Sequence, residues 1–298
     1  MKLLELGAKL VFATASLALS CCVSAATFNF TTLDVPGATE TSAVGINSSA
    51  QIVGFYIVGG NEHGFLLKDG KYSTVDFPGA LFSAAFGISP LGTLVGTYGK
   101  TDQDQHSLLL DITGFSTVDF PGSLFSQAWG INKGGLISGS YIDSANRNHG
   151  YIFNHGTFTM VDVPGSTGTN TFGINDDALV VGNYQSSDGV IHGYSFDGKN
   201  FTTIDVPGAT STTANGINTL KEIVGVFSDT SGTHGFLFAN GKFTVIDIPG
   251  ATQTEVLGIN ASGAIVGNYV TPATATSGAV MHGFLAIPTG PDLNIPSG

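Results

Sequence analysis

Asp34-Val35-Pro36-Gly37 opens a phrase that the chain uses five more times, at Asp76-Phe77-Pro78-Gly79, Asp119-Phe120-Pro121-Gly122, Asp162-Val163-Pro164-Gly165, Asp205-Val206-Pro207-Gly208 and Asp247-Ile248-Pro249-Gly250. The interval is 42 or 43 residues each time, and a fixed period of that length marks a repeat architecture in which each copy is one supersecondary unit. A residue present in every copy builds the repeat. Chemistry belonging to one site must be sought where the copies differ.

Between one Asp-x-Pro-Gly and the next lie four runs rich in Val, Ile, Phe, Tyr and Thr, separated by Gly, Asn and Pro, which is strand and turn chemistry. In the fifth copy they span 212–218, 222–227, 234–239 and 242–248. Gly-Ile-Asn closes the first run at 45–47, 130–132, 173–175, 216–218 and 258–260, with Gly87-Ile88-Ser89 as the deviant. Asn tolerates left-handed backbone and forms Asx turns, so this is a hairpin signal. Asp69-Gly70, His155-Gly156 and Asn240-Gly241 join the third and fourth runs and suit type I′ turns.

Four antiparallel strands in ~43 residues is the arithmetic of a propeller blade. The sequence therefore predicts an all-β fold, a six-bladed β-propeller with four antiparallel strands per blade. The last copy supplies three strands, through 282–287, while the surplus run 28–35 has the sequence of a fourth. The N-terminal strand is thus expected to close the last blade, which also removes two sheet edges. A seven-bladed ring would need another ~43 residues, and an open β-solenoid would use coils of roughly 20–30 residues without complementary ends.

Lys2 and Lys9 flank the start of an apolar run, Leu10 to Leu19, and Val23-Ser24-Ala25 or Ser24-Ala25-Ala26 offers small-x-small cleavage. The expected organisation is a signal peptide over 1–26, the propeller over 27–288 and a tail over 289–298. The apolar run is too short for a membrane span, and no later stretch reaches ~18 uninterrupted apolar residues. A secreted protein, extracellular or periplasmic, with no transmembrane segment in the mature chain is expected.

Cys21 and Cys22, the only cysteines, fall in the leader, so export leaves no thiol, disulfide or Cys-based metal site. A lipoprotein cleaved before Cys21 is disfavoured, because Ala18-Leu19-Ser20 fits the Leu-small-small pattern poorly. The formal net charge is −12 over the whole chain, and such a balance argues against nucleic acid or an anionic membrane surface as partner. A monomer is expected.

Six of the seven histidines begin the third strand of a copy, and in five copies the His precedes the Asp of Asp-x-Pro-Gly by 13 residues. Counting outward from the Asn240-Gly241 turn sets His234 opposite Asp247. The same count sets His63 opposite Asp76, His106 opposite Asp119, His149 opposite Asp162 and His192 opposite Asp205. His282 should meet Asp34 across the terminal clasp. Six-fold repetition makes these structural cross-strand pairs, worth about 0.2–1 kcal/mol each when exposed, rather than metal ligands or catalytic dyads. No copy carries a distinguished Ser in a Gly-x-Ser-x-Gly elbow that such a dyad could serve.

The combination of Gly-Ile-Asn, Ile-Val-Gly-x-Tyr and His-small-Phe resembles the HAF repeats of extracellular bacterial proteins. The chain has His63-Gly64-Phe65, His234-Gly235-Phe236 and His282-Gly283-Phe284, with Tyr151 and Tyr194 replacing Phe and His106-Ser107-Leu108 as the weakest copy. Gly stands where the family's name has Ala. The resemblance covers nearly all of the exported chain, implies an extracellular repeat protein, and brings no catalytic or binding residues with it.

Sites are therefore sought among the variable segments between second and third strands, 57–62, 99–105, 142–148, 185–191, 228–233 and 270–281, which a propeller gathers on one face. A second candidate is a ring of hydroxyls seven residues after each Asp: Thr41, Ser83, Ser126, Thr169, Thr212 and Thr254. It could face a ligand at the central opening or simply satisfy the backbone of the preceding Pro-Gly turn. Glu40, Gln127, Asn170 and Glu255 break the repeat nearby, and the single Trp, Trp129, stands where other copies have Val44, Phe86, Phe172 and Leu257, a packing position. Asp176-Asp177, the one adjacent acidic pair after Gly173-Ile174-Asn175, is placed on the opposite face and is a poor pocket acid.

The sequence predicts a non-enzymatic binding or scaffold module, for carbohydrate, another cell-surface polymer or a surface protein, with no cofactor, no metal and no catalytic residue assigned. A polysaccharide-active hydrolase or lyase on the same scaffold is the alternative, and it lacks the converging carboxylates such chemistry needs. A purely structural envelope module is a third reading and would show no ligand-sized pocket.

Overall fold

The computed structural model describes residues 28–101, 103–274 and 278–289. The expected leader and cleavage point, both cysteines and the tail from residue 290 lie outside them. Among the described residues there are 24 strands and no helix.

Four sheets have four antiparallel strands each. The first is β2 (Glu40–Ile46), β3 (Ile52–Val58), β4 (Asn61–Lys68) and β5 (Lys71–Val75). The second is β6 (Phe82–Ile88), β7 (Leu94–Gly99), β8 (His106–Asp111) and β9 (Gly114–Thr117). β10 (Phe125–Ile131), β11 (Ile137–Ile142), β12 (Asn148–Asn154) and β13 (Thr157–Val161) make the third. β14 (Gly168–Ile174), β15 (Val180–Gln185), β16 (Ile191–Phe196) and β17 (Phe201–Ile204) make the fourth.

The expectation of six separate blades is corrected by the remaining strands, which form one eight-stranded sheet. It contains β18 (Ser211–Ile217), β19 (Ile223–Ser228), β20 (Thr233–Ala239) and β21 (Lys242–Ile246), then β22 (Gln253–Ile259), β23 (Ile265–Thr271), β24 (Val280–Pro288) and β1 (Phe28–Leu33). The join is a single parallel bridge, Thr233 to Gln253, between β20 and β22. The propeller thus has four blades standing as separate sheets and one double-width sheet. A period in the sequence counts copies of a motif; it does not report where two copies come close enough to share a hydrogen bond.

β1 pairs antiparallel with β24 over six residues, from Phe28 opposite Pro288 to Leu33 opposite Gly283. The first described strand therefore completes the ladder of the last.

The repeated motifs have separate mechanical jobs. Gly37, Gly79, Gly122, Gly165, Gly208 and Gly250 sit at φ between 76° and 86°, the third position of a type II turn after Pro. The turn closes with Ala38 N–H donating to Val35 O at 3.0 Å, and likewise in the other copies. The inner strands each carry a register shift just before Gly-Ile-Asn, as between Ala43 and Gly45. Such a bulge re-aims one side chain, and here it turns Val44, Phe86, Trp129, Phe172, Asn215 and Leu257 onto the axis, where they line one cavity. It also brings the inner carbonyl against the second strand, so a Cβ on Gly54 would collide with Ser42 O. Glycine in Ile-Val-Gly-x-Tyr is the consequence.

Apolar clusters lie between neighbouring copies. One joins Ala43, Ile52 and Phe65 to Ala264 and Val266 across the chain's two ends. Phe65, Tyr151, Tyr194, Phe236 and Phe284 are the largest fully buried side chains, and all occupy the third position of the His-small-Phe signature.

A polar belt closes the ring at the Gly-Ile-Asn turns. Each Asn keeps Oδ1 for its own turn: Ser49 and Gln51 donate to Asn47, and Ser262 and Ala264 to Asn260, at 3.0 Å. The amide nitrogen donates onward to the next copy: Asn132 to Asn175 O, Asn175 to Asn218 O, Asn218 to Asn260 O and Asn260 to Asn47 O, at 3.0–3.2 Å. Asn47 donates to Ser89 O at 3.1 Å. Ser89 has no amide to pass the chain on, and its Oγ accepts only the Thr93 amide of its own turn at 3.1 Å.

Candidate functional site

Each copy aligns a row of side chains across the sheet. In the first, Thr41 faces Tyr56 and Tyr56 faces His63, the His and Tyr rings stack at 5.4 Å, and His63 Nδ1 lies 2.7 Å from Asp76 Oδ2. The same Nδ1 to Oδ2 contact joins His106 to Asp119, His149 to Asp162, His192 to Asp205 and His234 to Asp247 at 2.7–2.8 Å. His282 meets Asp34 at 2.9 Å across the terminal clasp. Every one of these histidines also lies against the aromatic near the end of the second strand, with ring centroids 4.9–5.4 Å apart. Among the described residues, no group of three or more His, Cys, Asp or Glu is arranged to hold a metal.

The hydroxyl ring does not open to solvent. Thr41, Ser83, Ser126, Thr169, Thr212 and Thr254 are only 1–2% exposed. Each accepts the backbone amide that follows an Asp of Asp-x-Pro-Gly, as Val35 N–H to Thr41 and Ile248 N–H to Thr254 at 3.1 Å. The remaining four do the same at 3.0–3.2 Å. The ligand-facing reading of this ring is corrected accordingly: buried between sheets, the hydroxyl satisfies the turn's inward amide, and the motif's Asp, amide and Pro-Gly all serve one junction.

Cavities lie along the axis, with a 90 Å³ space lined by Gly45, Gly87, Gly130, Gly173, Gly216 and Gly258 between the two end chambers. At the turn end, a 290 Å³ cavity is lined by the Asn belt with Lys133 and Asp176. Asp176 is therefore at a cavity after all, but its Oδ1 accepts the Lys133 amide at 2.9 Å, while Asp177 pairs loosely with Lys221 at 3.9 Å. At the other end, the six bulge residues enclose 160 Å³. Trp129 stacks on Phe86 at 4.2 Å and meets Phe172 edge-on at 5.0 Å; its Nε1 is buried without a partner. The belt asparagines are committed to hydrogen bonds and this end is apolar but for Asn215, whose Nδ2 donates to Val256 O at 2.9 Å.

The opening best suited to a polar ligand lies on the variable-segment face, between the third and fourth sheets. It has a volume of 280 Å³ and is lined by Asn146, Arg147, Asn148, Thr167, Gly168, Asn170, Asn183, Gln185 and Ile191. Its existence is a sequence accident of one copy. Gly168 occupies the position that other copies fill with Glu40, Phe82, Phe125, Ser211 or Gln253. A Cβ there would meet nothing nearer than Asn148 Cβ at 3.5 Å, so the missing side chain is what leaves the space.

Arg147, the only arginine in the chain, projects from the tight turn between β11 and β12. Asp143 holds that turn by accepting the amides of Ala145 and Arg147 at 2.8 and 2.9 Å. Its other oxygen lies 3.1 Å from His149 Nε2, so His149 bridges Asp143 and Asp162. The Arg147 amide, then the His149 ring, hold the Asp143 carboxyl below its usual range. Across the junction, Arg147 Nε and Nη2 reach Thr167 O and Ser166 O at 3.4 Å. Asn170 donates to Asn183 at 3.0 Å, and Thr167 to the Gln185 side chain at 3.1 Å, which fixes the amides of the far wall.

Of these residues, sequence reading singles out Asn170 and the segments 142–148, which contains Arg147, and 185–191; it gives no separate role to Arg147 and does not reach Gly168. The solitary arginine and the one copy lacking a side chain before its hydroxyl were the available signals.

No protein-family model matches the chain, and no curated protein is similar to it in sequence. Solved structures share its fold at low identity. The SapL1 lectin, solved with alpha methyl fucoside, has a TM-score of 0.55 at 11% identity, covering 86% of this chain and 98% of that one. The fucose-specific lectin from Aleuria aurantia gives 0.51 at 13%, covering 86% and 100%. TolB from Acinetobacter baumannii gives 0.52 at 13%, covering 67% and 52%. These likenesses establish the β-propeller fold. No helix of the described residues is long and apolar enough to cross a membrane.

Proposed function

We propose that the protein is an exported, non-catalytic binding propeller that takes a saccharide unit of a polymer into the groove between β12 and β14. The groove carries the reading. It offers amide donors and acceptors from Asn146, Asn148, Asn170, Asn183 and Gln185 beside one guanidinium, and a saccharide hydroxyl both donates and accepts. Few well-placed polar groups in a concave site are what fix a small ligand's orientation. Fold kinship with two fucose-binding lectins agrees with this use of a propeller, although fold alone assigns no ligand. The likeness of the repeats to HAF repeats of extracellular proteins belongs to the same proposal, as does export by the leader.

The test is a glycan array and polysaccharide retention assay with the wild-type chain and Gly168→Phe, a residue that two other copies carry at this position. Wild type should retain at least one saccharide, and the substituted chain should lose it at an unchanged melting temperature. Silence across the whole array, or retention unaffected by Gly168→Phe, would remove the groove from consideration. Appearance of shortened products would return the hydrolase or lyase alternative.

A further inference from the structure

We infer that the groove between β12 and β14 selects a saccharide bearing an anionic group, a uronate carboxylate or a sulfate ester; this rests on the saccharide reading above. The observation is the electrostatic state of Arg147. A guanidinium presents five N–H donors, and here Nε and Nη2 each make one long bond, to Thr167 O and Ser166 O at 3.4 Å. No carboxylate among the described residues forms an ion pair with it. Among the described Lys and Arg side chains only Lys221 pairs with a carboxylate; what sets Arg147 apart is that it lines the polar groove.

The acids on the two adjacent turns have other partners. Asp143, on the same turn, gives its oxygens to the amides of Ala145 and Arg147 and to His149. Asp188, on the facing turn, accepts from Ser186 and Val190. No groove-lining residue is acidic. The site is thus a cation held in place by two backbone carbonyls, with donors to spare, set among neutral amides. Guanidinium matches carboxylate and sulfate oxygens with parallel N–H donors, which makes it selective for such groups. The chain's net charge of −12 opposes an anion at long range, but screening over about 10 Å at 0.1 M salt leaves the contact itself to decide.

Titration calorimetry of the full chain with oligogalacturonate, its methyl ester, dextran and dextran sulfate separates the cases. The acidic form of at least one pair should bind about tenfold or more tightly than its neutral counterpart, and the responding pair identifies carboxylate or sulfate. Arg147→Gln should erase that preference, and Gly168→Phe should abolish binding of the preferred probe. Equal binding of acidic and neutral forms would overturn the inference while leaving the saccharide reading standing. A preference that survives either substitution would overturn it by placing the anion elsewhere. No binding by all four would also overturn it, and the underlying reading falls only if the broad glycan array is silent too.

Discussion

The Asn belt makes a prediction with a definite sign. Five of six junctions carry an amide-to-carbonyl bond, and the sixth lacks one because Ser89 stands where the others have Asn. Ser89→Asn should supply it, with Nδ2 donating to Asn132 O, which already accepts Gly135 N–H at 3.1 Å and has a second lone pair. Pro90 does not interfere, since the residue after Asn47 contributes no amide to the Asn side chain. The new Oδ1 would keep the Thr93 amide and gain that of Leu91. A net hydrogen bond contributes about 0.5–1.5 kcal/mol, so one or two bonds at a 3%-exposed position should stabilise by roughly 1–2 kcal/mol, or about 2–8 °C in melting temperature for a chain of this size. The mirror change, Asn260→Ser, forfeits the bond to Asn47 O and both bonds from Ser262, and should cost at least as much. Both can be followed by fluorescence of the single Trp129 and by circular dichroism in urea. A Ser89→Asn chain no more stable than wild type, alongside a destabilised Asn260→Ser, would show that the junction geometry cannot accept a sixth bond and refute the belt as an additive device.

Other outcomes follow from the same contacts. Deleting 28–33 leaves the outer edge of β24 unpaired and uncovers Phe284, which is 0% exposed; a loss of at least 3 kcal/mol is expected, and an unchanged melting temperature would refute the terminal clasp. His149→Ala should abolish saccharide retention by freeing the Asp143 turn, whereas His63→Ala, which lacks a second carboxylate, should lower only stability; equal effects on retention would refute the positioning role of His149. The Asp143 carboxyl has a folded value below its ordinary 3.8, so its support for the turn is complete above that pH and is lost as pH falls through the lower folded value. Retention should therefore hold from about pH 7 to pH 5 and fail only below about pH 4; a loss near pH 6 would assign control to another group.

Sequence by itself determined the repeat, the four-strand unit, the turn types and the pairing partners of each His, because these are local: a 13-residue offset around a two-residue turn fixes which side chains are opposite. It also placed the run 28–35 beside the last strand, since unpaired edges at two chain ends have one economical solution. Only tertiary structure decided three other matters. Thr233 and Gln253 fuse two copies into one sheet because their approach depends on inter-sheet spacing, not on either strand's pattern. The hydroxyl ring is buried because an inward amide of each Asp-x-Pro-Gly turn needs an acceptor once water is excluded from the junction. The groove exists because Gly168 and Arg147, 21 residues apart in sequence, meet across a boundary that no periodicity reveals.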